Sequence, residues 1–262
     1  MIKDIFRSDL NWLTFYLLLV LSWIGVIGAN ASSSNSGYKS FKSIYGADFW
    51  IGLCRQAQGF EDWELLLSAW VIMSVAMMTP TLLPTLKTYK DLIVGGAGSS
   101  TGFYFVLGGF LSVWFGFSIV LSLFQAFLIE ETLIDGNGVF QNEGFKALFL
   151  LIAGLYQFSG LKENCVSQCR SPLAFFMQYW ETGSFGAMKM GLRLGLICLG
   201  CCWALMSLAF VGGTMTLGFM GLATCVMITE KMPQMGRYVT KPLGTLLIGA
   251  AAITALRILE QF

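Results

Sequence analysis

An all-α polytopic membrane bundle is the fold class this sequence predicts, on three observations. The chain of 262 residues is 56% hydrophobic and only 12% charged, whereas soluble domains carry about 25% charged residues. Its mean hydropathy is +0.70. Its apolar residues gather into stretches near the length of about 20 residues that a helix needs to cross a ~30 Å hydrocarbon core. The sequence reads as a single integral membrane domain over residues 1–262, with about seven transmembrane helices.

The elements follow in order. The first span is expected from Asn11 to Ala29, the second from Glu64 to Pro84 and the third from Gly102 to Ile129. The fourth runs from Gly144 to Gly160 and the fifth from Met188 to Val211. The sixth runs from Met215 to Thr229 and the seventh from Thr240 to Leu259. The fourth and sixth are short for a full crossing. Only Val211-Gly212-Gly213-Thr214 separates the fifth from the sixth, which predicts a tight turn and antiparallel neighbours. Ala29-Asn30-Ala31 also resembles a signal-peptidase site. The first apolar run is longer than a signal core, however, and Asp4 and Asp9 dilute its positive start, so an uncleaved anchor is expected.

Charge orients the bundle. With the N-terminus inside, eleven of the 16 Lys and Arg residues fall on the inner side and five on the outer. Positive residues concentrate on the cytoplasmic side, which predicts N-in and C-out. The loop at about 30–63 then lies outside. It opens with a Ser-rich run and becomes aromatic and amphipathic from Tyr38 to Trp63, suited to headgroup depth.

Other features exclude functions. There is no histidine. That removes His-based acid/base catalysis, Ser-His and Cys-His dyads, mixed Cys/His zinc sites and a histidine haem ligand. A net charge of +1 with no dense Lys/Arg run gives nucleic acid nothing to bind. No paired carboxylates lie inside a span to relay protons.

Sulfur is what remains. Cys198, Cys201 and Cys202 stand at i, i+3 and i+4 in the fifth span, and Met206 extends the same helical face by one turn. In the second span Met73, Met77 and Met78 precede Pro80 and Pro84, whose missing N–H groups free backbone carbonyls. Cys165 and Cys169, four apart at the cytoplasmic mouth, are flanked by Lys162 and Arg170, cations that favour thiolate. Soft sulfur ligands suit Cu(I). Cysteine and methionine are also ordinary apolar packing residues. Cys225 reads as packing, Cys54 as an isolated outer thiol, and Glu230-Lys231 as a local ion pair ending the sixth span.

Several of these pieces resemble a bacterial family described as predicted metal-binding integral membrane proteins. They are Ala153-Gly154-Leu155-Tyr156-Gln157, Leu161-Lys162 with Cys165-x3-Cys169-Arg170-Ser171-Pro172, and Gly191-Leu192-Arg193. Cys198-Leu199-Gly200-Cys201-Cys202-Trp203-Ala204-Leu205-Met206 and Glu230-Lys231 complete the set. The likeness covers about residues 150–232 and reaches loosely to Ala76-Met77-Met78-Thr79-Pro80. It implies a multi-pass protein of the bacterial inner membrane whose Cys and Met bind metal. Members of that family often carry histidine where this chain has Leu194 and Gln168; if those histidines are ligands in relatives, the metal site here is altered, all sulfur or absent, and an all-sulfur site would shift preference further toward Cu(I).

The expected function is binding of a soft transition metal, Cu(I) first, for transport or insertion into a partner. That partner would be a periplasmic or membrane metalloprotein. The expected chemistry is ligand exchange, not bond-making catalysis. Two alternatives stand beside it. One is a non-catalytic scaffold whose sulfur face merely packs against Gly195 and Gly200. The other is a thiol oxidoreductase linking Cys201-Cys202 to Cys165-Cys169, weakened by the strain of a disulfide between adjacent cysteines.

Overall fold

The structure is a computed structural model describing residues 2–33, 59–96, 100–135, 138–214 and 216–260. Most of the loop expected outside the membrane, with Cys54, lies outside the described residues. Helix α1 spans Ile2–Ser33. A single 3-10 turn, Gly59–Asp62, leads into α2, Trp63–Val94. Then come α3 (Gly102–Glu130), α4 (Glu143–Tyr156), α5 (Gly160–Arg170) and α6 (Pro172–Tyr179). The chain ends with α7 (Gly183–Ser207), the short α8 (Ala209–Gly212), α9 (Leu217–Lys231) and α10 (Gly236–Leu259). The bundle is all-α, with only an isolated bridge between Ile134 and Phe140 among the described residues.

Among the described residues, five helical segments are long and apolar enough to cross a membrane: Leu10–Gly28, Gly59–Val94, Gly102–Glu130, Gly183–Gly212 and Tyr238–Glu260. They mark a membrane protein. The sequence predicts about seven spans, and the difference lies in the two short ones. The fourth is broken. Ser159 accepts a hydrogen bond from the Lys162 amide at 3.2 Å and starts a new helix, so α4 and α5 meet at 61°. Together they make one bent span at most. The sixth, α9, has 15 residues, or about 22 Å at 1.5 Å per residue, too short for a full crossing. Local chemistry also explains the end of α5. Ser171 precedes a proline, which disfavours helical backbone, and Pro172 then opens α6 as its first residue.

Glycines let the helices approach. A Cβ at Gly191 would stand 2.3 Å from the Val106 carbonyl oxygen, and one at Gly109 would stand 2.4 Å from that of Met188. Backbone-to-backbone contact of this kind is how apolar helices gain packing energy in lipid, where no hydrophobic force drives them together. It makes α3 against α7 the most extensive helix pair. Gly154 plays the same part between α4 and α10, 3.0 Å from the Ile248 nitrogen by the same measure.

Helix α2 has two prolines inside it, and one break is satisfied. Pro80 has no N–H to offer the Ala76 carbonyl. The Trp23 indole of α1 donates to that carbonyl at 3.1 Å. Of the freed oxygens that the sequence suggested for a cation, that of Ala76 is therefore taken by α1. The turn after α8 uses Gly213 at φ 93°. It returns α9 antiparallel to α7, as expected, but α9 packs chiefly against α2 and α10 and only lightly against α7.

Candidate metal centre

Helix α7 places its cysteines on one buried stripe, as i, i+3, i+4 spacing dictates. The three sulfurs of Cys198, Cys201 and Cys202 lie within 4.8 Å of one another. Those of Cys201 and Cys202 are 3.3 Å apart. The Cys201 thiol also donates to the Cys198 carbonyl at 3.1 Å. All three side chains are buried, and Met206 continues the stripe, buried as well. No disulfide joins the six described cysteines.

Among the described residues, a lysine faces this cluster. Lys231, the last residue of α9, points its ammonium at the Cys198 sulfur at 3.0 Å and at the Thr81 hydroxyl of α2 at 2.9 Å. Thiolate is the form of cysteine that binds metal. Three thiolates around a singly charged ion leave two net negative charges in a low-dielectric interior, and an ammonium in contact offsets one of them. The sequence suggested that Glu230 and Lys231 pair with each other. They diverge instead: Lys231 turns to the sulfurs, and Glu230 turns to Lys162.

The second cysteine pair joins the first. Cys165 and Cys169 are half-buried on the side of α5 that meets α7. A Cβ at Gly200 would stand 2.7 Å from the Cys165 sulfur, so the glycine lets the thiol lie close against α7. Cys169 interacts with the Cys201 thiol and with the charge of Lys231. Tyr156, at the end of α4, donates its hydroxyl to the Gly200 carbonyl and packs edge-on against Trp203, with ring centroids 5.0 Å apart. Together these contacts brace the bent span against the cysteine turn.

Lys162 and Arg170 do not act on Cys165 and Cys169 as the sequence suggested. Lys162 donates to both Glu230 carboxylate oxygens, at 2.9 and 3.0 Å, and to the Gln157 side-chain oxygen. Arg170 donates from Nε to the Glu230 carbonyl at 2.9 Å and pairs with Glu163 at 3.5 Å. A buried carboxylate without a cation is costly, so Glu230 claims the nearest ammonium. The result ties α5, which carries Cys165 and Cys169, to the end of α9, which carries Lys231.

Met73, Met77 and Met78 are buried in the same core cluster as the cysteines. Their helix reaches the thiols through Thr81, one turn beyond Met77. Cys225 is exposed, on the outward side of α9, not packed as expected. Sequence reasoning missed Lys231, Thr81 and the Lys162–Glu230 pair as parts of one assembly. Their only signal was charge at the end of an apolar stretch, which snorkelling explains equally well.

The thiol set with its single cation is a soft-metal donor set, and comparison with known proteins agrees. Residues 67–254 match the family described as PpoB2, copper chaperone. No curated protein and no solved structure matches the chain. The resemblance had implied a metal-related family, and that is the kind of family matched, under the description of a copper chaperone. The match runs well over half the chain and takes in every residue of the cysteine cluster, so the protein belongs to this copper-chaperone family.

Proposed function

We propose that this protein holds Cu(I) on Cys198, Cys201 and Cys202 within the membrane bundle and delivers it to a copper-requiring partner protein. The observation that carries the reading is the buried thiol triad with its sulfurs inside 4.8 Å and a lysine ammonium 3.0 Å from one of them. Cu(I) takes two or three soft ligands and has little use for oxygen donors. A buried, nearly oxygen-free thiol set with one counter-charge meets that demand.

Delivery proceeds by ligand exchange. An incoming sulfur bonds as an outgoing one leaves, so the ion is never stripped bare in a medium that cannot solvate it. Cys169 interacts with Cys201 and Cys165 lies against Gly200. That pair is the natural next station, at the edge of the bundle where α5 ends. Met206 lies one turn beyond the triad in the other direction. On the N-in orientation expected from the charge count, Cys165 and Cys169 lie at the cytoplasmic mouth of a bacterial inner membrane, and the partner is a copper-requiring metalloprotein reached from that side.

The test is metal content of the detergent-purified, reduced protein. Wild type is expected to carry near-stoichiometric copper, and the Cys201→Ser/Cys202→Ser variant to lose it. Equal copper in both would remove the triad from the function.

A further inference from the structure

Three helices meet around the cysteine triad, and their side-chain contacts set a common register. Thr81 of α2 and Cys198 of α7 both touch Lys231 of α9. At the other end Trp70 of α2 packs on Phe210, just past α7, with ring centroids 5.6 Å apart. From Thr81 back to Trp70 is about 17 Å of helix and from Cys198 on to Phe210 about 18 Å, at 1.5 Å per residue. Helices α2 and α7 therefore run antiparallel and in step. Helix α9 starts beside Gly212, where a Cβ would stand 2.5 Å from the Phe219 ring. It ends at Lys231, so it runs parallel to α2.

That register stacks sulfur above the triad. One turn from the Lys231 level stand Cys202, Met77 and Met227. Two turns away stand Met206 and Met73. Three turns away Met220 reaches the level of the Trp70–Phe210 contact. All five methionines are at most 2% exposed. Two of the hydroxyls at these levels are committed elsewhere. Ser74 shares a hydrogen bond with Ser118 at 3.0 Å, and Thr224 donates to the Met220 carbonyl at 2.7 Å.

We infer that Met73, Met77, Met206, Met220 and Met227 form a thioether ladder that binds Cu(I) and leads it to the thiol triad. The inference rests on the triad being a Cu(I) site and adds a second, weaker site of different chemistry. Thioethers are soft and neutral. They hold a monovalent soft ion without deprotonation and leave its charge uncompensated, so they bind it less tightly than thiolates do. The ion gains affinity on moving from ladder to triad. Beyond the ladder Phe210 also meets the rings of Phe124, Phe140 and Phe149. This aromatic cluster keeps the far end of the column apolar.

The probe is Ag(I), a soft monovalent ion that thiol chemistry does not reduce or oxidise. It is titrated into the full chain in detergent against a competing chelator. The Cys198→Ser/Cys201→Ser/Cys202→Ser variant is expected to lose the tight ion and keep one weaker ion. Adding Met77→Leu and Met227→Leu, which keep volume and remove sulfur, should weaken that ion by at least about tenfold, the least that metal-site substitutions commonly cost. Unchanged weak binding overturns the ladder, as does its absence from the triple-Ser protein while wild type keeps its tight ion. Absence of a tight ion from wild type counts instead against the triad. If the triple-Ser protein does not fold, Met77→Leu/Met227→Leu in the wild-type background serves. Cu(I) arrival at the thiols, followed by thiolate–Cu(I) absorption, should slow by about tenfold with final occupancy unchanged. An unchanged rate overturns the ladder.

Discussion

Lys162→Met is the most informative single perturbation of the framework around the site. The Lys162 and Glu230 side chains are 1% and 2% exposed, and the lysine serves both carboxylate oxygens at 2.9 and 3.0 Å. Methionine keeps the length of the side chain and removes its charge. It strands the Glu230 carboxylate in the interior, and breaking a buried pair in this way costs about 3–5 kcal/mol. At about 2–4 °C per kcal/mol for a chain of this size, the melting temperature falls by roughly 6–20 °C. Replacing Glu230 by Met as well removes the stranded charge, and most of the loss returns, since exchanging both partners for apolar groups is close to neutral. The assay is thermal unfolding of four detergent-purified proteins: wild type, Lys162→Met, Glu230→Met and the double variant. Their comparison isolates the coupling between the two residues. A Lys162→Met protein as stable as wild type would refute the reasoning. So would a double variant less stable than Lys162→Met alone.

Other consequences follow from single contacts. Lys231→Met removes the ammonium on Cys198 and is expected to weaken Cu(I) binding by about tenfold or more in chelator competition, while Lys231→Arg, which keeps the charge, retains most of it. Gly191→Ala drives a methyl group to 2.3 Å from a backbone carbonyl that cannot yield. It should cost about 1–3 kcal/mol by thermal unfolding, whereas Gly116→Ala, which meets nothing within 4 Å, should be neutral or mildly stabilising. Trp23→Phe takes the donor from the Ala76 carbonyl. It should cost about 1 kcal/mol in the wild type and less in a Pro80→Ala background, where a backbone N–H returns to that carbonyl. Equal costs in the two backgrounds would show that the indole does not repair the proline break.

Much of the candidate centre is legible in the amino-acid sequence. Spacing of three and four residues puts Cys198, Cys201, Cys202 and Met206 on one helical face because the α-helix turns every 3.6 residues, whatever surrounds it. Cys165 and Cys169 are legible as a pair for the same reason. What faces them is not. Lys231 is far from Cys198 in sequence, and its direction depends on Glu230 having turned to Lys162. Lys162 reads equally as a flank for Cys165 or as a partner for Glu230. Only burial of the carboxylate decides, because desolvation penalises an unpaired buried charge more than anything else within reach.

The span count shows the same division. Apolar length marks Gly102 to Ile129 and Met188 to Val211 as crossings, and the structure has helical segments long and apolar enough to cross there, Gly102–Glu130 and Gly183–Gly212. It could not show that Ser159 caps a new helix within the fourth stretch, or that α9 stops at 15 residues beside Thr81 and Cys198. Composition and helical period determined the class of this protein, its sulfur stripe and the kind of ion that stripe suits, since those depend on residue type and local geometry alone. The choice of cation on the thiols, the seat of Cys165 against Gly200 and the common register of α2, α7 and α9 were left to tertiary packing. Each joins residues distant in the chain, and burial energy rather than local preference settles which of them meet.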